Sequence, residues 1–271
     1  MKVKYWFITG DTHGSGLIGR LSNLISIPES GVVPETIGLI ILGDVGLNYY
    51  LDSRDRKLKT MANRLGYQLY CLRGNHEERP ENVEGMILEY DENVHGEIYY
   101  EPDFPNIKYF KTFGEYQIFR YKILVVGGAY SVDKEYRQLM GYQWFPGEQL
   151  TESETVELFE LATGNEYDLV LSHTCPYDWR PTDLFLSCID QSKVDTTMEK
   201  MLNLLKDYIY KWDKWCFGHY HDDRFVRPDV MMFYHEIAPL ETIMGDVYVH
   251  DFANRFGIDP KFDEVRANEN N

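Results

Sequence analysis

The feature that most constrains the fold of this chain is a unit repeated in its first third: an apolar strand, a polar residue and then a helix. The predicted strands end shortly before Asp11, Asp44 and Asn75, which are 33 and 31 residues apart. This spacing is close to the length of one βαβ unit, about 30 residues. Because crossovers between parallel strands are right-handed, the three side chains should meet at the carboxyl edge of one sheet. The spacing predicts an α/β fold with a polar site at that edge.

The other elements follow from apolar runs and the residues that interrupt them. We predict strands over 3–9, 37–42, 67–72, 167–171 and 214–217, and helices over 17–27, 53–65, 151–163 and 196–212. Residues 108–127 form a predicted antiparallel run, and closing antiparallel strands are predicted over 223–226, 230–237 and 246–250. Capping-box patterns at Thr151 and Thr196 indicate where the two later helices begin. The acidic segment 82–107 is predicted to be an irregular excursion or lid on the surface.

Composition indicates a globular protein with one large domain. The chain has 271 residues, 44% of them hydrophobic, and its longest apolar runs are too short to cross a bilayer. We expect a domain over residues 1–256, a polar tail over 257–271 and no membrane partner. The four cysteines have no paired spacing, which favours reduced thiols in a cytoplasmic protein. The sequence does not determine the oligomeric state.

The charge balance limits the class of partner. The net charge is −17, and an acidic surface repels phosphate backbones, so long nucleic acids are not expected to bind. A small anionic substrate is not excluded, because bound divalent cations would reverse the field locally.

Five short motifs carry the chemistry of the chain. They are Asp11-Thr12-His13, Gly43-Asp44, Gly74-Asn75-His76-Glu77, His173 and Gly218-His219-Tyr220-His221. Asp-x-His alone is a weak signal, but Gly-Asn-His and Gly-His-x-His are rare at this composition. Asp, His and Asn together suit Mn²⁺, Fe or Zn²⁺ better than Mg²⁺. The motifs supply enough ligands for two adjacent metal ions and leave one histidine spare.

These motifs resemble those of the calcineurin-like metallophosphoesterase superfamily, whose pattern is D-x-H, G-D, G-N-H-[DE], H and G-H-x-H. The resemblance spans residues 11–221 and implies a four-layer α-β-β-α sandwich with two mixed sheets and a metal site at the carboxyl ends of the strands. Carried over by position, the first metal ion would be held by Asp11, His13 and His221, and the second by Asn75, His173 and His219, with Asp44 as the bridge. We expect two divalent ions, Mn²⁺ first, with Fe or Zn²⁺ as alternatives.

The resemblance also implies an activity. It predicts a binuclear metal-dependent phosphoester hydrolase in which a hydroxide bridging the two ions attacks phosphorus in line. His76 would protonate or stabilise the leaving oxygen, which suits an imidazole that titrates near neutral pH. The rival class is a non-catalytic scaffold, which the complete ligand set disfavours.

Two departures from the phosphoprotein phosphatases bear on the substrate. The run 72–77 is very similar to that branch, which follows the bridging aspartate with V-D-R-G or a similar sequence. Here Leu47 and Asn48 stand in place of its orienting aspartate and phosphate-binding arginine. The chain is therefore more similar to bacterial or phage-type stand-alone phosphoesterases.

Four arginines in or beside predicted rim loops are candidates to replace the missing phosphate-binding arginine, namely Arg54, Arg79, Arg137 and Arg180. Of these, Arg137 and Arg180 are the predicted substrate residues. The expected partner is a small phosphorylated substrate, a phosphomonoester or nucleotide. The alternatives are a phosphodiester, such as a cyclic nucleotide or a short nucleic-acid end, and a phosphorylated Ser/Thr protein.

Overall fold

The computed structural model describes residues 2–25 and 33–245. The predicted strand over 246–250, the end of the first predicted helix and the predicted tail over 257–271 lie outside the described residues. No helix in the described part of the chain is long and apolar enough to cross a membrane.

Within these residues, the strands form two mixed sheets. The strands are β1 (Tyr5–Thr9), β2 (Ile37–Ile41), β3 (Gln68–Cys71), β4 (Ile87–Asp91), β5 (Gly96–Tyr100), β6 (Ile107–Phe110), β7 (Phe113–Ile118), β8 (Tyr121–Val126), β9 (Glu166–Ser172), β10 (Lys211–Phe217), β11 (Arg224–Arg227), β12 (Val230–Met232) and β13 (Ile237–Pro239). The first sheet has the order β13-β1-β2-β3-β6-β5-β4, and the second has the order β11-β12-β10-β9-β8-β7.

The strands that carry the motifs are parallel and end in register. In the first sheet, Ile41 of β2 pairs with Thr9 of β1 and with Cys71 of β3. In the second sheet, Ser172 of β9 pairs with Phe217 of β10. The loops after these strands therefore leave each sheet from the same edge, as the βαβ spacing predicts.

Alternating side chains place one core between the sheets. Ile8 and Ile40 of the first sheet and Val125 and Leu171 of the second are fully or almost fully buried in the same cluster. In a strand, successive side chains point to opposite faces, so the neighbours of these residues point outward and need cover from helices.

Helices provide that cover on both outer faces. The helices of the described chain are α1 (Ser15–Ile25), α2 (Ser53–Arg64), α3 (Lys134–Met140), α4 (Glu152–Ala162), α5 (Thr197–Tyr208) and α6 (Leu240–Met244). Phe7 of β1 packs in one cluster with Leu21 of α1, and Leu124 of β8 packs in another with Leu158 of α4. The result is a four-layer α-β-β-α sandwich.

The prediction of an irregular lid over 82–107 is wrong. Strands β4 and β5 form a hairpin that extends the first sheet beyond β6. Ile98 on β5 is 2% exposed and belongs to the core between the sheets. The acidic composition of this segment conceals its strands, because β4 is an edge strand whose side chains are mostly exposed; charged side chains are common on edge strands.

Three further predictions need correction. Strand β6 is parallel to β3 in the first sheet and is not part of an antiparallel run with β7 and β8. The predicted strand over 230–237 is two strands, β12 parallel to β10 and β13 antiparallel to β1. The capping box at Thr151 is present, whereas Thr196 makes no side-chain cap. Asp195 instead accepts a hydrogen bond from the backbone N–H of Thr197 at 2.9 Å.

Candidate functional site

The predicted ligands lie in loops at the carboxyl ends of parallel strands from both sheets. Asp11 follows β1, Asp44 follows β2, Asn75 and His76 follow β3, His173 follows β9, and His219 and His221 follow β10. The facing edges of the two sheets therefore bring together residues that are up to 210 positions apart in the sequence.

One cluster contains Asp11, His13 and His221. Nε2 of His221 lies 3.2 Å from Oδ2 of Asp11 and 2.9 Å from Nε2 of His13. Oδ2 of Asp11 is buried and has no hydrogen-bond partner in the described structure. An orphaned carboxylate oxygen and two imidazole nitrogens thus face one point, an arrangement that can hold a metal ion.

A second cluster lies beside the first and shares its carboxylates. Nε2 of His173 lies 2.9 Å from Oδ1 of Asn75 and 3.6 Å from Oδ1 of Asp44. Its Nδ1 lies 2.7 Å from the carbonyl oxygen of Leu42, which orients the ring. The ring of His219 lies 5.0 Å from that of His173. Asp44, Asp11 and His173 also form a group able to hold a cation.

Glycines allow the two aspartates to approach the neighbouring loops. A Cβ on Gly74 would lie 1.9 Å from Oδ1 of Asp44, and a Cβ on Gly218 would lie 2.3 Å from Oδ1 of Asp11. Both distances are far shorter than any non-bonded contact. The motifs therefore require glycine at these positions because the carboxylate of another loop occupies the space of a side chain.

Several candidate ligands have left-handed backbone conformations that are unusual for side chains larger than glycine. Their φ angles are +44° at His13, +44° at Asp44, +70° at His219 and +57° at His221. Such conformations cost about 1 kcal/mol or more each and concentrate at functional sites. The packing of the sandwich therefore stabilises a ligand geometry that the local sequence alone would not favour.

The electrostatics of the site favour a bound cation. Burial acts to raise the pKa of Asp11, but the charge of His173 and the adjacent imidazole of His221 lower it below its usual value. Burial acts in the same direction on Asp44, and the charges of His76 and His173 hold its pKa well below its usual value. Burial acts to lower the pKa of His173, but the two carboxylates raise it to about 9. Buried carboxylates that stay ionised, together with imidazole and amide ligands, fit divalent transition metals.

Comparison with known proteins decides the family. The family profile described as Calcineurin-like phosphoesterase matches residues 7–223. The chain belongs to this family. Calcineurin-like phosphoesterases are metal-dependent phosphoester hydrolases, and the chain is therefore a metal-dependent phosphoesterase.

The other comparisons add little. No curated protein sequence matches the chain significantly. Among solved structures, the crystal structure of TT1561 of Thermus thermophilus is similar to this calcineurin-like phosphoesterase, with 15% sequence identity and a TM-score of 0.42. The alignment covers 85% of this chain and 89% of that chain.

His76, which the predicted ligand sets of this calcineurin-like phosphoesterase do not use, lies beside them and forms a further group able to hold a cation with His13 and Asp44. The backbone N–H of His76 donates to Oδ1 of Asp44 at 2.8 Å, and the His76 and His13 rings are 5.7 Å apart. Nδ1 of the His76 ring lies 2.7 Å from Nη2 of Arg137, and Nε2 lies 3.7 Å from Oδ1 of Asp133. A cation and a carboxylate therefore flank the imidazole.

The four candidate arginines lie in different environments. Arg137 lines a cavity of about 450 Å³ together with His13, Asp44 and His76. Arg54 is at the rim of the same cavity but is paired with Asp52, with Nη2 at 2.7 Å from Oδ2. Arg79 pairs with Glu154 of α4. It lines neither this cavity nor the cavity that contains Arg180.

Arg180 does not share a cavity with Arg137. It lines a second cavity of about 540 Å³ that also includes Asp44 and His76. Its guanidinium lies 3.6 Å from the centroid of the Tyr177 ring, and its Nε donates to the carbonyl oxygen of Tyr177 at 3.2 Å. The structure thus places both predicted substrate arginines in cavities that are also lined by candidate metal ligands.

Sequence analysis missed two acidic residues beside the site. Asp133, at the start of α3, faces His76, and Glu199, in the first turn of α5, lines the second cavity. Neither belongs to a metal-binding motif. Glu199 had a different predicted role, in the capping box at Thr196, and only the three-dimensional structure shows its carboxylate at the cavity.

Proposed function

We propose that this calcineurin-like phosphoesterase uses two divalent metal ions to hydrolyse a small phosphomonoester or nucleotide. The ligand sets are those given above, with Asp11, His13 and His221 for one ion, Asn75, His173 and His219 for the other, and Asp44 shared. We expect Mn²⁺, with Fe or Zn²⁺ as alternatives, because the donors mix nitrogen and oxygen. When bound, the ions would activate water as the nucleophile and neutralise charge on the phosphate.

The residues of the chain supply proton transfer and positioning. We assign to His76 the transfer of a proton to the leaving oxygen, because the ring lies at the edge of the metal centre and is 20% exposed. Asp133 and Arg137 flank its two nitrogens and would fix the orientation of the ring. They would take the place of the aspartate and arginine that positions 47 and 48 lack.

The position of Arg137 supports a phosphomonoester as the substrate. A phosphomonoester brings about two negative charges to the site and a diester brings one, so a monoester benefits more from a cation beyond the metal ions. Arg137 offers such a cation in the cavity that contains His13, Asp44 and His76. A second arginine, Arg180, lines the other cavity that contains Asp44 and His76.

A phosphodiesterase is the second candidate, and the two cavities favour it. Both cavities include Asp44 and His76, so groups on either side of one phosphorus could be accommodated. A protein phosphatase is disfavoured because Leu47 and Asn48 are fully buried and carry neither a carboxylate nor a guanidinium.

The partner and compartment follow from the same features. A small phosphorylated substrate is the expected partner, and the net charge of −17 disfavours long nucleic acid. A cytoplasmic location is supported by three cysteines that are buried as free thiols, Cys71, Cys175 and Cys216.

The test is a panel of phosphate esters with protein reconstituted with Mn²⁺. We expect hydrolysis of p-nitrophenyl phosphate and of a nucleoside monophosphate to exceed that of bis-p-nitrophenyl phosphate. The panel is repeated on Arg137→Ala and Arg180→Ala. A strong diester preference that neither substitution changes would assign the phosphodiesterase instead, and no turnover of any ester with a loaded centre would favour a scaffold.

A further inference from the structure

The second cavity is lined both by candidate metal ligands and by the segment that joins β9 to α5. Its volume of about 540 Å³ is typical of a small-molecule site. Its lining includes the polar residues Asp44, His76 and His219 and the apolar residues Leu184, Phe185, Leu186 and Ile189. A phosphoester held at the metal ions would therefore place one of its substituents in this cavity.

The wall of the cavity is apolar and open to solvent. Val132 is 47% exposed, Leu184 is 38% exposed and Leu186 is 64% exposed. A contiguous group of exposed aliphatic side chains on a concave surface is typical of a ligand site. Phe185 and Tyr220 add two aromatic rings to the lining. The group that binds here should therefore present apolar faces.

One carboxylate oxygen of a residue on this wall, Glu199, lacks a hydrogen-bond partner among the described residues. Glu199 is 4% exposed, and its Oε1 accepts a hydrogen bond from Oγ1 of Thr174 at 3.3 Å. Its Oε2 is buried and has no hydrogen-bond partner among the described residues. An unpaired oxygen that is already buried is costly, and a hydrogen-bond donor on a ligand would satisfy it whereas a purely apolar ligand would not. The ligand should therefore also carry a hydrogen-bond donor.

We infer that this cavity binds the base of a nucleotide substrate, with an amino group of the base donating to Oε2 of Glu199. The inference rests on the proposed phosphoesterase function and narrows its substrate. A nucleobase combines apolar faces with N–H groups on its edge, whereas an acyl chain lacks the donor and most hydroxyls of a sugar would lack partners on the apolar wall. Arg180, whose guanidinium lies 5.7 Å from the Phe185 ring centroid, can stack on the base.

The helix around Glu199 explains why its carboxylate is available. In a capping box, this glutamate would bind the backbone N–H of Thr196. The observed cap uses Asp195, which accepts from the backbone N–H and the hydroxyl of Thr197 at 2.9 and 2.6 Å. Glu199 is therefore released from the helix terminus and lies at the cavity wall.

The experiment measures nucleoside binding to the protein loaded with Mn²⁺ by titration calorimetry. Adenosine is compared with inosine, and cytidine with uridine, because each pair exchanges an amino group for a carbonyl at the same ring position. Nucleosides carry no phosphate, so the result does not depend on turnover. In the wild type, we expect the nucleoside with the amino group to bind at least about tenfold more tightly than its partner in at least one pair. This is the effect of one hydrogen bond to a charged group.

Substitutions then assign the preference to this cavity. In Glu199→Gln, the ratio of the two affinities within a pair should fall to about one or invert. The reason is that the glutamine amide can donate to the carbonyl that replaces the amino group of the base. Leu186→Asp should weaken binding of both members, since it places a charge on the apolar wall. Leu139→Asp, at a position on α3 that is 83% exposed and outside the cavity, is the matched control and should bind as the wild type does.

The outcomes distinguish failure of the proposed base site from failure of the proposed phosphoesterase function. Equal affinities within both pairs, or a preference that persists in Glu199→Gln, would overturn the base site and leave the phosphoesterase intact. Failure to hydrolyse any phosphate ester would instead overturn the proposed function, whatever the nucleosides do. If Glu199→Gln does not fold, Leu186→Asp still decides, because unchanged affinity in that variant contradicts binding at this wall.

Discussion

Nη2 of Arg137 lies 2.7 Å from Nδ1 of His76, although the two residues are 61 positions apart in the sequence. Arg137 is held in this place by Oδ2 of Asp133, at 2.7 Å from its Nε, and by the hydroxyl of Tyr49, at 3.1 Å from its Nη1. A cation is thus preorganised at the edge of the metal centre.

The first prediction concerns this arginine. Arg137→Ala should lower kcat/KM for p-nitrophenyl phosphate about 10- to 100-fold, because a hydrogen-bonded charge in a partly buried site is lost. The loss for the diester should be smaller, since the diester carries less charge. Arg227→Ala, at an exposed arginine on β11 that pairs with Asp229, is the control. Equal losses for both esters would indicate that Arg137 only positions His76.

The second prediction concerns His76. His76→Ala should retain its metal content and lower kcat about 10²- to 10⁴-fold for esters with poor leaving groups. The loss of kcat should be smaller for p-nitrophenyl phosphate, because its leaving group, p-nitrophenolate, hardly needs protonation. His235→Ala, at an exposed histidine outside all the motifs, should have no effect. Deficits of the same size for good and poor leaving groups would point to a positioning role.

The third prediction concerns the close approach at Gly74. Gly74→Ala should lose most of its bound metal and stability, because the new Cβ would meet Asp44 at 1.9 Å from Oδ1 and 2.3 Å from the backbone nitrogen. The control is Gly19→Ala on α1, where a Cβ meets nothing within 4 Å. That substitution should stabilise the protein by about 0.5–1 kcal/mol. Wild-type metal content in Gly74→Ala would contradict the packing argument.

The fourth prediction is a pH dependence of stability. Burial acts to raise the pKa of Glu154, but hydrogen bonds from Arg79 and the backbone of Thr151 lower it to about 2. A carboxylate whose pKa is lowered in the folded state stabilises the protein above its unfolded pKa. This contribution is lost as the pH falls towards about 2.

Glu154→Gln should therefore reduce the free energy of unfolding by about 1–2 kcal/mol near pH 7, a figure discounted for partial exposure of the pair. The difference from the wild type should narrow as the pH falls below about 4. Denaturant unfolding of the variant and the wild type, near pH 7 and below about pH 4, measures this difference. Glu152→Gln, at an exposed position in the first turn of the same helix, is the control. A deficit that stays constant with pH would mean that packing, and not charge, is lost.

The sequence predicted those features that depend on local pattern and on chemistry. The strands before Asp11, Asp44 and Asn75 were predictable because buried parallel strands are short apolar runs and the βαβ unit has a fixed length. The layered sandwich came from the family resemblance, because periodicity does not show which sheet a strand joins.

The features that were missed depend on tertiary contacts. The contact between Arg137 and His76 has no sequence signal, since α3 is distant in the chain and approaches the site only after folding. The role of Glu199 was misassigned because Thr196-x-x-Glu199 fits a capping box, and Asp195 competes for the same helix terminus. The β4–β5 hairpin was missed because its acidic side chains are typical of a loop as well as of an edge strand.

The central claim is that five separate motifs converge on one binuclear metal centre, and metal stoichiometry tests it most directly. Elemental analysis after reconstitution with Mn²⁺ and removal of free metal should give about two equivalents per chain in the wild type. Asp44→Asn should lose most of this metal, because the shared ligand loses its charge, while Asp213→Asn, at an exposed aspartate on β10, should retain it. Less than about half an equivalent in the reconstituted wild type would contradict the account.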